Sequence, residues 1–203
     1  KSINGFFNKK ISKNILKKYG KVDFVTSHNT LAHVDDLKSI FENIFFILKE
    51  NGYFCFEIGY FREVIKNNYF DTVYHEHLDY HHANPLVKFL KKIGFSVVDI
   101  NVVKIQGGSL RVLCKKDLKR TISKKVNIFL KKEKKTFLYN KIFIRSWEKK
   151  IKFLMQDVRN KILKISFKEN LFGYGSPTKI ILFLKLLNLP KDKLKLIFED
   201  NLL

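Results

Sequence analysis

Cysteine, proline, glycine and arginine are all scarce in this sequence. Only two cysteines occur in 203 residues, Cys55 and Cys114, each alone in an apolar run. That excludes a disulfide scaffold or a cysteine-rich zinc module in this stretch and suits a reducing cytoplasm. Three prolines and nine glycines exclude collagen-like or linker character, and no internal repeat is visible. No apolar run is long enough to span a membrane, because Lys, Asn or Asp interrupts each one. The first residues do not read as a signal-like charged region followed by an apolar one. What remains is ordinary globular material: 45% hydrophobic and 29% charged residues, enough to bury a sizeable core.

The charge is lopsided. Lys and Arg number 40 against 19 Asp and Glu, giving +21. Such a balance fits a nucleic-acid binder. It also fits codon bias, since Lys, Asn, Ile and Phe abound and only five of the 40 cations are arginine. Proteins that read bases or pair with phosphate lean on arginine. The densest run, Lys115 to Lys135, surrounds a helical pattern instead of keeping one face, and has no aromatic–basic stacking platform. No nucleic-acid partner is expected.

Periodicity predicts an α/β chain. Ile11, Ile15 and Leu16 recur at helical spacing over 8–19, with Gly20 as the stop. Val22 to Ser27 reads as a buried strand. Asp35 and Asp36 open a helix to Lys49, acids at its first turn matching the helix dipole. Asn51-Gly52 turns the chain into a strand from Tyr53 to Ile58. Residues 60–67 allow one or two helical turns, and 68–82 have neither period. A helix opened by Pro85 ends at Gly94. Strands follow at 95–103 and 109–114, a final hairpin adding an antiparallel edge to a parallel sheet. Residues 116–168 predict two helices, or one broken near Tyr139-Asn140. From 170 the pattern is strand, glycine turn, helix, strand, the opening of a second α/β domain.

Four stretches carry polar side chains in places suited to chemistry. Tyr74-His75-Glu76-His77 lies in the aperiodic loop. Histidine moves its proton near neutral pH, and a neighbouring carboxylate can orient the ring. A phenol nearby suits hydrogen bonding to a carbonyl or enolate, so the set fits proton abstraction beside a carbonyl. His75, His77, His81 and His82 also show metal-like spacings, but no cysteine or further carboxylate sits at ligand spacing, so no metal is expected. Asn29-Thr30-Leu31-Ala32-His33-Val34-Asp35 lies at the carboxyl end of a predicted parallel strand, the edge where open α/β sheets bind ligands. Gly173-Tyr174-Gly175-Ser176-Pro177-Thr178-Lys179 reads as a tight turn with Ser176 as helix cap and Pro177 at its first position. Its backbone N–H groups and Lys179 would attract an anion, and Asp200 ends the next strand where a ribose-binding acid belongs. Gly107-Gly108-Ser109-Leu110-Arg111 is either a tight turn or part of a site.

In this order and approximate spacing, NTLAHVDDL, FDTVYHEH, GGSLRV and GYGSPTK resemble the SAM-dependent sugar C-methyltransferases that act on nucleotide-linked keto-deoxysugars. The resemblance covers almost the whole chain. It implies the C-terminal part of a class I, Rossmann-like methyltransferase domain over 1–115, a helical connector over 116–168, and the start of a C-terminal sugar-nucleotide-binding Rossmann-like domain over 169–203. It further implies a chain that starts inside the central domain, with the glycine-rich SAM loop and a zinc-binding cysteine module lying outside it. The cofactor implied is S-adenosyl-L-methionine, and zinc is expected only in that N-terminal module. By motif, His77 would take the proton from the carbon beside the ketone. His33 and Tyr74 would lie near the enolate, and Glu76 would support the histidine. Asn29, Ala32, His33 and Val34 would line the SAM side. Tyr74, Gly173, Gly175 and Lys179 would lie on the nucleotide-sugar side. The resemblance implies a cytoplasmic transferase of deoxysugar biosynthesis with a nucleotide-sugar substrate and no membrane or nucleic-acid partner; it leaves the oligomeric state open.

Overall fold

A computed structural model describes residues 2–117, 119–166, 170–190 and 192–200. They form two compact units, Lys1–Val64 with Glu76–Phe137, and Ile65–His75 with Leu138–Leu203.

The first unit is a four-stranded sheet with helices. Its elements are α1 (Lys9–Tyr19), β1 (Val22–His28), α2 (Leu37–Ile47), β2 (Leu48–Gly59), α3 (Phe61–Asn67), α4 (Ala83–Ile93), β3 (Phe95–Val103), β4 (Ser109–Lys116) and α5 (Lys124–Lys134); the last turn of α3 passes into the second unit. The α1 N-terminus is closed by Asn8, whose side-chain oxygen accepts the N–H groups of Lys10 and Ile11. Asp36 does the same for α2 through Ser39 N–H at 2.9 Å, so the acid expected within the first turn is its cap instead. Helix α2 sets Phe41, Ile44 and Ile47 into the core. Phe41 meets Phe54, Phe56 and Phe89 edge-on at 5.2–5.4 Å between ring centroids, contacts worth roughly 0.5–1.5 kcal/mol each beyond area burial.

The strand order is β1-β2-β4-β3, with β1 and β2 parallel and β4 antiparallel to both neighbours. The hairpin therefore does not simply add an antiparallel edge. Its second strand enters between β2 and β3, and β3 becomes the edge. The physical reason lies in the residues: Leu110, Val112 and Cys114 of β4 are fully buried, whereas Val102 of β3 is exposed. Helix α5 packs on this unit through fully buried Val126.

The second unit holds α6 (Lys141–Ser166), β5 (Leu171–Tyr174), α7 (Ile180–Leu187) and β6 (Leu194–Phe198). A 3-10 turn at Phe137–Tyr139 separates α5 from α6, where the break near Tyr139-Asn140 was expected. Strands β5 and β6 pair in parallel. Ile151 and Met155 of α6 and Leu187 of α7 form its buried centre, with Trp147 and Phe183 against it. The segment 116–168 thus contributes α5 to one unit and α6 to the other. The architecture is α/β with a mixed main sheet. No helix among the described residues is long and apolar enough to cross a membrane.

Candidate functional site

The carboxyl ends of β1 and β2 lie side by side, and the loop leaving β1 carries the first predicted motif. Asn29 adopts φ 51° and donates its N–H to the Glu57 carbonyl at 3.2 Å. Leu31–His33 form a single 3-10 turn. The Ala32 carbonyl accepts the Leu78 N–H at 2.9 Å. That bond ties the first motif to the histidine loop. The rings of His33 and His77 lie 5.0 Å apart, tilted by 59°. His77 also meets Tyr80 edge-on at 6.4 Å. Two histidines 44 positions apart in the chain are thus brought together near the carboxyl edge of the sheet.

A cavity of about 630 Å³ opens at the same edge. Val25, Thr26, Ser27, Thr30, His33, Val34 and Asp35 line it from β1 and its loop, and Ile40, Ile44 and Ile47 from α2. Of the four residues expected on the cofactor side, His33 and Val34 line it; Asn29 and Ala32 shape the loop through their backbones. Its volume lies within the range of small-molecule sites. It combines a largely apolar wall with Thr30, His33 and Asp35, a lining that fits a nucleoside-bearing cofactor such as S-adenosyl-L-methionine.

Three residues beneath this loop escaped attention as a group. Register places His28 beside Glu57 and Glu57 beside Arg111. The Glu57 carboxylate, 2% exposed, accepts Arg111 Nε at 2.7 Å and faces His28 Nδ1 at 3.2 Å. Burial alone would raise its pKa, but the bonds from Arg111 and His28 outweigh this and hold the carboxyl below its ordinary value. Only the strand register could have revealed the trio; the GGSLR motif carried one member of it. That motif is also structural. Gly108 has φ 122°, its carbonyl accepts Tyr60 N–H, and a Cβ there would meet Glu63 Cβ at 2.6 Å.

A second missed residue is Glu133 of α5. Its buried carboxylate accepts Tyr60 Oη–H (2.9 Å), Ala83 N–H (2.7 Å), Asn84 N–H (2.8 Å) and the Asn84 amide (2.6 Å). It therefore caps α4, directly after the histidine loop. His81 continues the anchorage by accepting Phe61 N–H on its carbonyl. Glu76 is exposed in the loop.

Tyr74 belongs to the second unit, its ring edge-on to His75 at 5.9 Å. So do Gly173, Gly175 and Lys179. Here the structure corrects the expectation of bare N–H groups. Gly175 N–H donates to the Phe198 carbonyl at 2.8 Å, and Ser176 N–H donates to the Glu199 carboxylate. Tyr174 Oη donates to Asp200. Lys179 lies 3.6 Å from Asp71. Helix α7 begins only at Ile180, with Lys179 before it and no side-chain cap, so Ser176 and Pro177 belong to the turn. The turn's donors are met at the end of β6, by the Phe198 carbonyl and the Glu199 and Asp200 carboxylates. Among the described residues no group of three or more His, Cys, Asp or Glu could hold a metal.

Comparison with known proteins places both halves of the chain beside methyltransferases. Residues 4–100 match a family model described as a methyltransferase domain, and residues 104–203 match one described as a C-methyltransferase C-terminal domain. Between them the two matches span nearly the whole chain, its first half resembling a methyltransferase domain and its second a C-methyltransferase C-terminal domain. The C-methyltransferase NovU of Streptomyces niveus is 30% identical over 106 residues, which are 52% of this chain and 25% of that protein. The aligned stretch thus spans about a quarter of this curated relative. Among solved structures, the magnesium protoporphyrin IX methyltransferase of Synechocystis PCC 6803 with bound SAH overlaps at TM-score 0.38 and 12% identity, covering 47% of this chain and 45% of that one. The N-methyltransferase NodS of Bradyrhizobium japonicum WM9, in complex with S-adenosyl-l-homocysteine, overlaps at TM-score 0.35 and 12% identity, covering 47% and 46%.

Proposed function

We propose that this chain belongs to a cytoplasmic enzyme that methylates carbon in a nucleotide-linked, TDP-type 4-keto-deoxysugar. The juxtaposition of His33 and His77 at 5.0 Å carries this reading. An oxygen acceptor needs no α-proton removed, whereas a carbon acceptor does. A pair of imidazoles at a ligand-binding edge supplies that step and a donor for the oxygen that becomes charged.

In this reading His77 accepts the proton from the carbon beside the ketone. The C–H electron pair becomes the enolate double bond, and the carbonyl electrons move onto oxygen. His33 donates a hydrogen bond to that oxygen, and Glu76 supports the His77 imidazole; a part for Tyr74 in holding the substrate rests on motif order alone. The residues that would hold S-adenosyl-L-methionine are Thr30, His33, Val34 and Asp35 around the cavity, with Asn29 and Ala32 fixing the loop. When bound, the cofactor supplies an electrophilic methyl group on sulfur. The chain's share is then alignment of the nucleophilic carbon and exclusion of water. Gly173, Gly175 and Lys179 are assigned to the nucleotide-sugar side. Support there comes from the family and motif order.

The test is solvent deuterium exchange at the carbon beside the ketone, in the full-length enzyme with a TDP-4-keto-deoxysugar. Exchange is expected in the wild type and a loss of at least about a hundredfold in His77→Ala, the size of a lost general base. Undiminished exchange in the variant sinks the base assignment. Methylated oxygen in the product sinks the C-methylation reading.

A further inference from the structure

We infer that Glu57, fixed by Arg111, is a positioning residue that sets the geometry of the His33–His77 pair. The inference rests on the proposed use of that pair but is tested on geometry. Glu57 holds the start of the β1 loop twice. Its carbonyl takes the Asn29 N–H at 3.2 Å, and its carboxylate faces His28 Nδ1 at 3.2 Å. Arg111 holds the same carboxylate from the next strand, with Nε at 2.7 Å and Nη2 also in contact. The clamp acts where the backbone needs it. Asn29 sits at φ 51°, a left-handed conformation that asparagine tolerates and that the bond to the Glu57 carbonyl holds in place. Thr30 Oγ1 donates to the His28 carbonyl at 3.0 Å, passing the constraint onward. Two residues later the Ala32 carbonyl receives Leu78 N–H, and His33 meets the His77 ring.

The charged pair does more here than a neutral contact would. A guanidinium presents its donors in a fixed plane, so it sets the direction of the Glu57 carboxylate as well as its place. Arg111 also follows the Gly107-Gly108 turn, whose Gly108 carbonyl accepts Tyr60 N–H. One motif thereby positions the ends of both β2 and the β1 loop. No reacting atom needs to touch Glu57 or Arg111 for this role.

The experiment uses histidine-labelled full-length protein and reads the ring-to-ring nuclear Overhauser contact between His33 and His77. Glu57→Gln and Arg111→Lys should each abolish that contact while the amide protection of α4 stays as in the wild type. Arg111→Lys keeps the charge but not the fork, so a contact retained in it overturns the role given to Arg111. A wild-type contact in Glu57→Gln overturns the proposal as a whole. If Glu57→Gln fails to fold, His28→Ala decides. His28 is half exposed, so its removal spares the core, and amide exchange at Asn29 should quicken at least about tenfold. Unchanged exchange there refutes the clamp. In turnover, Arg111→Lys should lower kcat roughly tenfold to hundredfold with KM for the sugar nearly constant, the mark of misalignment and not of lost binding. Failure of the base assignment would show separately, as persistent deuterium exchange in His77→Ala.

Discussion

Glu133→Gln is the sharpest test of how the histidine loop is anchored. The Glu133 carboxylate is 2% exposed and receives four donors, two on each oxygen. Glutamine keeps one oxygen and replaces the other with an NH2 group. Two of the four donors then face a donor. Leaving a buried donor unsatisfied costs about 1–3 kcal/mol, so the pair costs about 2–6 kcal/mol. The lost negative charge at the α4 N-terminus pushes in the same direction. A central value of about 4 kcal/mol is a large part of the 5–15 kcal/mol that holds a typical domain folded. For a chain of this size it lowers Tm by about 8–16 °C. Urea unfolding and calorimetry of wild type, Glu133→Gln and the exposed neighbour variant Lys134→Gln measure it. Lys134→Gln should stay within about 0.5 kcal/mol of wild type. Amide exchange at Ala83 and Asn84 should rise first in Glu133→Gln. A Glu133→Gln protein within about 1 kcal/mol of wild type would refute the reasoning, because the network would then be replaceable by solvent.

Three more outcomes are expected. Gly108→Ala combines φ 122° with a Cβ 2.6 Å from Glu63 Cβ, and should cost about 2–5 kcal/mol in urea unfolding. Asn8→Ala removes the acceptor for Lys10 and Ile11 N–H and should cost about 0.5–2 kcal/mol, with faster exchange confined to the first turn of α1. Burial holds the imidazoles of His81 and His82 below their ordinary value. The unfolded chain therefore takes up protons first, and stability should fall as pH drops through about 6.5 toward 5. Glu57 and Asp99, held low in the fold, add a loss only once the pH falls into the ordinary carboxylate range and below it. Urea unfolding from pH 7.5 to 5 should show the first slope, and His81→Gln should flatten it.

Sequence reading succeeded where a signal is local. The helix stripe of Phe41 and Ile44 is a short-range pattern, and the structure follows it closely; the acids before it were legible as dipole partners, not as the cap that Asp36 provides. The strand start at Leu48, by contrast, overlapped the end of that stripe. Apolar residues serve helix and strand alike, so the boundary moved. The insertion of β4 between β2 and β3 depends on burial of Leu110 and Val112 from both sides, which no single strand's pattern displays. Within the candidate site, His33 and His77 were legible as polar residues in apt places. The Glu57–Arg111 clamp was not, because it exists only through cross-strand register. Glu133 looked like a lone acid in a lysine run. Its meaning lies in four donors from segments about fifty and seventy residues earlier, beyond the reach of any local pattern. At the glycine turn the opposite error arose: a local anion-site pattern is answered by Glu199 from the far end of the next strand.

The antiparallel strand between β2 and β3 also orders events in time. Pairing Tyr53 with Lys115 closes a loop of roughly sixty residues, an entropic cost met only when that strand arrives. The whole histidine loop lies inside the closed segment. The two imidazoles can be held together only after Arg111, carried on the arriving strand, reaches Glu57. Protection at Asn29 should therefore appear late in refolding, with the β2–β4 pairs and after those of α2, so that the site is assembled by the same step that completes the sheet.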